Sequence, residues 1–184
     1  MRTTIGIAID IPEPWGSQLT RRRLQAGDAA ATHIPAHLTL LGPTEVDTGV
    51  IAEVAEHLTG VAGGHEPFPV HLSGTGTFRP LTEVVYVAVA SGDEECKRLW
   101  AAVRELDAVR RPLRYDYHPH VTVAHDVASE ALDEVFADLA DFDAKFTVAG
   151  FTLFEHGPDG RWRPHREYCL GDGAAPPPAS HRRR

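Results

Sequence analysis

Two tetrapeptides constrain this chain more than anything else in it: His37-Leu38-Thr39-Leu40 and His120-Val121-Thr122-Val123. Both alternate polar and apolar residues, the period of a strand with one face on a core. Side chains two apart on a strand share a face, so in each segment His and Thr point one way together while the apolar pair packs inward. Pro35 and Pro119 stand just ahead of the two histidines and restrict the backbone entering each strand. A third copy, His57-Leu58-Thr59, closes the helical spacing Val50, Ile51, Val54, Ala55, Leu58; residues two apart on a helix diverge, and this copy is set aside. About one His-x-Thr match arises by chance in a chain of this composition, so the strand context carries the argument rather than the match.

The remaining chain supplies elements around these two strands. Residues 4–11 read as a strand ended by Pro12, residues 15–27 as an exposed, Arg-rich helix, and 29–35 as a loop. The first His-x-Thr strand spans 37–41 and closes at Gly42-Pro43; a helix follows over 48–60, then strands over 68–78 and 83–90. The second half repeats this grammar. A helix covers 93–106, with Cys96, Leu99, Trp100, Val103 and Leu106 on one face. The strand 120–124, a helix over 129–140, and strands over 145–155 and 162–170 about a Gly157-Pro158-Asp159-Gly160 turn complete it. The expectation is one α+β domain over residues 1–171 with mixed or largely antiparallel sheets. It is read as two lobes, each giving one His-x-Thr strand to a cleft between them. The Pro- and Ala-rich segment 172–184, ending in Arg182-Arg183-Arg184, is expected to be disordered.

A formal net charge of −8 argues against wrapping duplex nucleic acid, which takes a basic surface, so any nucleic-acid substrate must be held by a few residues. Arg21-Arg22-Arg23 reads as a solvated helix face. No apolar run approaches the roughly 20 residues that span a bilayer. The N-terminus lacks the long apolar stretch and small-residue cleavage site of a signal peptide, which points to a cytoplasmic protein. Cys96 and Cys169 are too few for a disulfide framework and read as buried or inert thiols.

The paired motifs suit displacement at a phosphodiester. That reaction needs a base for the attacking oxygen and an acid for the leaving one, on opposite sides of phosphorus. Imidazole fills either role near neutral pH. A threonine hydroxyl beside each histidine can donate to the non-bridging oxygens as charge builds there. Two other readings use the same residues: polar pairs on the wet side of amphipathic strands, and a metal site made of His118, His120 and His125.

Three segments together resemble a known family. They are Ile34-Pro35-Ala36-His37-Leu38-Thr39-Leu40-Leu41-Gly42-Pro43, Gly74-Thr75-Gly76-Thr77-Phe78-Arg79-Pro80, and Tyr117-His118-Pro119-His120-Val121-Thr122-Val123-Ala124-His125-Asp126. The family is that of the two-histidine phosphoesterases, which includes bacterial 2'-5' RNA ligases and RNA 2',3'-cyclic phosphodiesterases, and the similarity runs over about residues 4 to 170. The resemblance implies a bilobal α+β fold with pseudo-two-fold symmetry, the two motif strands facing each other across a cleft, no metal or other cofactor, and a monomer with no obligate protein partner. It implies His37 and His120 as the acid/base pair and Thr39 and Thr122 as phosphate holders, with His120 activating water and His37 protonating the leaving oxygen. By the same resemblance Phe78 stacks a base and Arg79 sits near the phosphate. His125 stands where many relatives carry arginine, which weakens charge there. Tyr115 and Tyr117 are further stacking candidates. The activity implied is hydrolysis of 2',3'-cyclic phosphate ends, with 2'-5' ligation as its reverse. Small cyclic nucleotides or 2'-5'-linked oligonucleotides are alternative substrates, and a binding module without turnover is the alternative from another class.

Overall fold

The computed structural model describes residues 1–171; the expectation of disorder over 172–184 lies outside them. Twelve elements follow in order: β1 (Arg2–Asp10), α1 (Trp15–Gln25), β2 (His37–Asp47), α2 (Ile51–Gly63), β3 (Phe68–Thr77), β4 (Val84–Ser91), α3 (Asp93–Val103), β5 (His120–His125), α4 (Ser129–Asp138), β6 (Asp143–Val148), β7 (Gly150–His156) and β8 (Trp162–Cys169). The α+β class is as expected. Of the mixed and antiparallel alternatives the antiparallel one holds: the eight strands of the described residues join one sheet in the order β6-β3-β4-β5-β2-β1-β7-β8, and every neighbour pair is antiparallel.

The pseudo-two-fold axis runs through the middle of this sheet, between β2 and β5. On one side β2 is followed by β1, β7 and β8; on the other β5 is followed by β4, β3 and β6. The unit β1-α1-β2 therefore matches β4-α3-β5, and each unit's helix crosses the axis: α1 packs on β5 and α3 on β2. The helices cover the face that carries Leu38, Leu40, Val121 and Val123, none more than 1% exposed. Each such side chain contributes roughly 1.5–3 kcal/mol by leaving water. The opposite face stays open to the ligand side.

Two of the expected strands depart from the sequence reading. β2 continues through Gly42-Pro43 to Asp47, because its second half pairs with the start of β1, Thr4 opposite Glu45 and Arg2 opposite Asp47. The single strand expected over 145–155 is two, β6 and β7, broken at Ala149. β6 is one edge of the sheet and β7 the second strand from the other edge, with five strands between them. Two residues reach about 7 Å at most, so the sheet must curl until β6 meets the far side. Leu170 donates its backbone N–H to Ala149 O at 2.9 Å across this junction.

The helix read over 15–27 ends at Gln25; Arg21 is exposed as expected, but its two neighbours are not solvated in the same way. Arg23 is buried and its Nε donates to Asp28 Oδ2 at 2.6 Å, while Arg22 pairs with Asp138 on α4. Cys96 is buried as expected; Cys169 is exposed.

Candidate active site

β2 and β5 meet with Leu38 opposite Val121. In an antiparallel pair this register sets His37 across from Thr122 and Thr39 across from His120. All four lie on the face away from the helices, since the residues between them are the buried ones. The two motifs thus form one four-residue patch in which each histidine neighbours the other motif's threonine.

Both rings are oriented by the backbone two residues earlier. His37 Nδ1 lies 2.9 Å from Pro35 O, and His120 Nδ1 lies 2.5 Å from His118 O. A carbonyl only accepts, so each Nδ1 carries the hydrogen and each Nε2 is left to the cleft. The prolines of the two motifs thereby gain a role: the turn each one shapes returns a carbonyl to the imidazole.

The next strands outward complete the patch. On β1, Asp10 is the partner of His37 and Ala8 of Thr39; on β4, Ala88 is the partner of His120 and Tyr86 of Thr122. Tyr86 lies across Gly76 of β3, where a Cβ would come within 2.5 Å of the ring and its hydroxyl, so only glycine leaves room for it. Phe78 follows β3 and stands edge-on to His120 at 4.9 Å and 4.5 Å from the Tyr86 ring. His118 joins the same cluster, 5.2 Å from Phe78. Beside it opens a cavity of about 390 Å³ walled by Leu81, Trp100, Leu113, Tyr115 and Tyr117 as well as Phe78. On the His37 side the corresponding space, beside Leu41 and Trp162, is only about 90 Å³. A larger groove of about 690 Å³ lies between α2 and α3, away from these residues; its His57 and His65 are tied to backbone carbonyls, His57 Nε2 to Ala102 O and His65 Nδ1 to Val61 O.

Desolvation dominates both imidazoles. Burial among the rings, with His118 and His37 as nearby like charges, drives His120 down to about 4 against the help of the His118 carbonyl. His37 is also lowered by burial, and Arg23 adds to this, but the Pro35 carbonyl and the Asp10 carboxylate work in the other direction. The two histidines are thus alike in geometry and unlike in charge surroundings.

The other sequence candidates divide. Phe78 and Tyr117 line the cavity, although the Tyr117 hydroxyl is committed to Thr39 O at 2.8 Å and its ring stacks on Trp100 at 4.9 Å. Tyr115 is half exposed on the cavity rim. Arg79 turns away toward α4, where Asp133 Oδ1 holds it at 2.9 Å. His125 ends β5, exposed beside Asp126, on neither cavity wall. His118, His120 and His125 therefore do not converge. Sequence reasoning missed Asp10, Tyr86 and the Trp100–Leu113 wall; the first two carry no local motif, and only strand pairing reveals them.

The chain matches a model of the 2'-5' RNA ligase superfamily over residues 11–160. It belongs to that superfamily. A Bacillus pumilus protein named "Putative phosphoesterase" is 29% identical over 144 residues, 76% of this chain and 81% of that one. Among solved structures, E. coli LigT complexed with 3'-AMP superposes with a TM-score of 0.61 at 24% identity, covering 92% of this chain and 99% of that one. TT0787 of Thermus thermophilus gives 0.64, also at 24% identity, covering 94% and 100%. The structural likenesses agree with the eight-stranded α+β fold, and membership of the superfamily agrees with a phosphoesterase.

Proposed function

We propose that this superfamily member is a phosphoric diester hydrolase that opens 2',3'-cyclic phosphates at RNA ends or on nucleotides, leaving a 2'-phosphate. The observation that carries the reading is the β2–β5 register, which places two imidazoles and two threonines on one open face. His120, held neutral, takes a proton from water through Nε2. The new P–O bond forms in line as the bond from phosphorus to the ribose 3'-oxygen breaks, and His37 gives that oxygen its proton. Thr39 and Thr122 hold the non-bridging oxygens. With a ribose 5'-hydroxyl in place of water, the same groups acting in the same direction would join a 2'-5' linkage, and run backwards they would cleave it to the cyclic phosphate. None of these steps calls on a cofactor.

A small nucleotide substrate is favoured by a specific feature. The aromatic cavity beside His120 has room for one nucleoside against Phe78, its counterpart by His37 is far smaller, and the acidic surface does little for a long RNA. LigT has been crystallised with 3'-AMP and with ATP, which supports a nucleotide ligand for this cleft as well. The test is turnover, in EDTA, of nucleoside 2',3'-cyclic monophosphates and of a short RNA with a cyclic end, by wild type, His37→Ala and His120→Ala. Wild type should yield the 2'-phosphate and each variant should lose at least about a hundredfold. Nucleotide binding unaltered by both substitutions, with no turnover by wild type, would instead identify a binding module.

A further inference from the structure

The axis between β2 and β5 makes β1 and β4 equivalent, so their residues can be compared rung by rung. Beside Thr39 stands Ala8 and beside Thr122 stands Tyr86; beside His37 stands Asp10 and beside His120 stands Ala88. One strand further out, Thr152 is the partner of Ala8 and Gly76 the partner of Tyr86. The two halves hold the same catalytic patch and exchange an acidic rung for an aromatic one.

Asp10 is steered into its place. Thr152, only 3% exposed, donates its hydroxyl to Asp10 Oδ2 at 3.2 Å, on the face that Ala8, Asp10 and His37 share. The carboxylate does not take the His37 Nδ1 hydrogen, which goes to Pro35 O. It therefore acts on the imidazole through space and leaves Nε2 free to face the substrate.

We propose that Asp10 is the positioning residue that makes the two halves chemically unequal: its charge holds His37 as the proton donor, while alanine at the equivalent rung, Ala88, leaves His120 as the acceptor. The inference rests on the phosphodiester reading for its roles but not for its electrostatics. The groups facing His37 are Asp10 from β1, Arg23 from α1 and His120 from β5. Arg23 opposes Asp10, but its guanidinium is already paired with Asp28. The groups around His120 are His37 from β2, Asp116, Tyr117 and His118 from the entering loop, Tyr86 from β4, and Phe78, which follows β3. Asp116 is acidic, but it is exposed on the loop at the cavity wall, and the rung beside His120 holds Ala88.

Two substitutions exchange the rungs. NMR titration of the imidazole signals should show the His37 midpoint falling in Asp10→Asn with His120 unmoved. The His120 midpoint should rise by roughly one pH unit in Ala88→Asp. In kcat/KM, Asp10→Asn should draw the alkaline limb to lower pH, with a loss of about tenfold at pH 7 and KM little changed; Ala88→Asp should raise the acidic limb. Asp10→Glu should restore most of the wild-type profile. If Asp10→Asn does not fold, Thr152→Val, which releases the carboxylate, should give a smaller shift of the same sign. A His37 midpoint indifferent to Asp10→Asn, or a His120 midpoint indifferent to Ala88→Asp, overturns the proposal. The titrations decide this even if no cyclic phosphate is turned over, an outcome that would count against the proposed function alone.

Discussion

At the scale of single residues, the two histidines start from one geometry and are separated by what surrounds them. The proposed mechanism calls for a free protein with His120 neutral and His37 protonated. His120 meets its condition above about 4, and His37 loses its proton as pH climbs through a value below 6.5. The kcat/KM profile is therefore expected to be bell-shaped with its optimum on the acid side of 6.5. Bound phosphate favours both imidazolium forms, so the kcat profile should lie at higher pH. A kcat/KM that only rises from pH 6 to 9 would contradict this assignment. Thr39→Val and Thr122→Val keep the strand and remove one donor each. Losses in kcat of about a hundredfold or more, with little change in melting temperature, are expected.

At the scale of elements, the network around Asp28 fixes the patch from behind. One Asp28 oxygen accepts from Arg23 Nε and from the His125 backbone N–H, and the other from Ala30 N, so α1, the following turn and the end of β5 share one carboxylate. Asp28→Asn would leave Arg23 buried with its charge unmatched. A destabilisation of about 3–5 kcal/mol is expected from urea denaturation. Reading Arg21-Arg22-Arg23 as a solvated face holds for Arg21 and fails for Arg23, because helical spacing does not tell which side of α1 meets β5. The third His-x-Thr copy was rightly set aside: His57 lies in α2 and its Nε2 donates to Ala102 O of α3. Arg79 and His125 lie in segments that carry the family resemblance, yet a carboxylate on α4 and the end of β5 take them off the cavity walls. Arg79→Gln is expected to change kcat/KM by less than about threefold, as befits an exposed ion pair with Asp133.

At the scale of the whole molecule, the curl of the sheet brings the two edges together and depends on close backbone approach. A Cβ at Gly150 would lie 2.3 Å from Tyr168 O, a backbone atom that cannot step aside without disturbing the β7–β8 ladder. Gly150→Ala is expected to cost about 1–3 kcal/mol in chemical denaturation. Gly60→Ala, on α2 with nothing within 4 Å of the added carbon, should be neutral or stabilising by up to about 1 kcal/mol.

The sequence by itself determined the local pieces of this protein. Alternation over His37–Leu40 and His120–Val123 specified which side chains face together, and turn residues marked most element ends, because both depend on near neighbours in the chain. Only the tertiary structure decided that the two strands lie edge to edge in one sheet and that 145–155 breaks at Ala149. It likewise decided that Asp10, Ala88, Tyr86 and Gly76 occupy the rungs beside the histidines. Those residues are brought together by backbone hydrogen bonds between segments far apart in sequence, where registers are set by the whole core rather than by any local pattern.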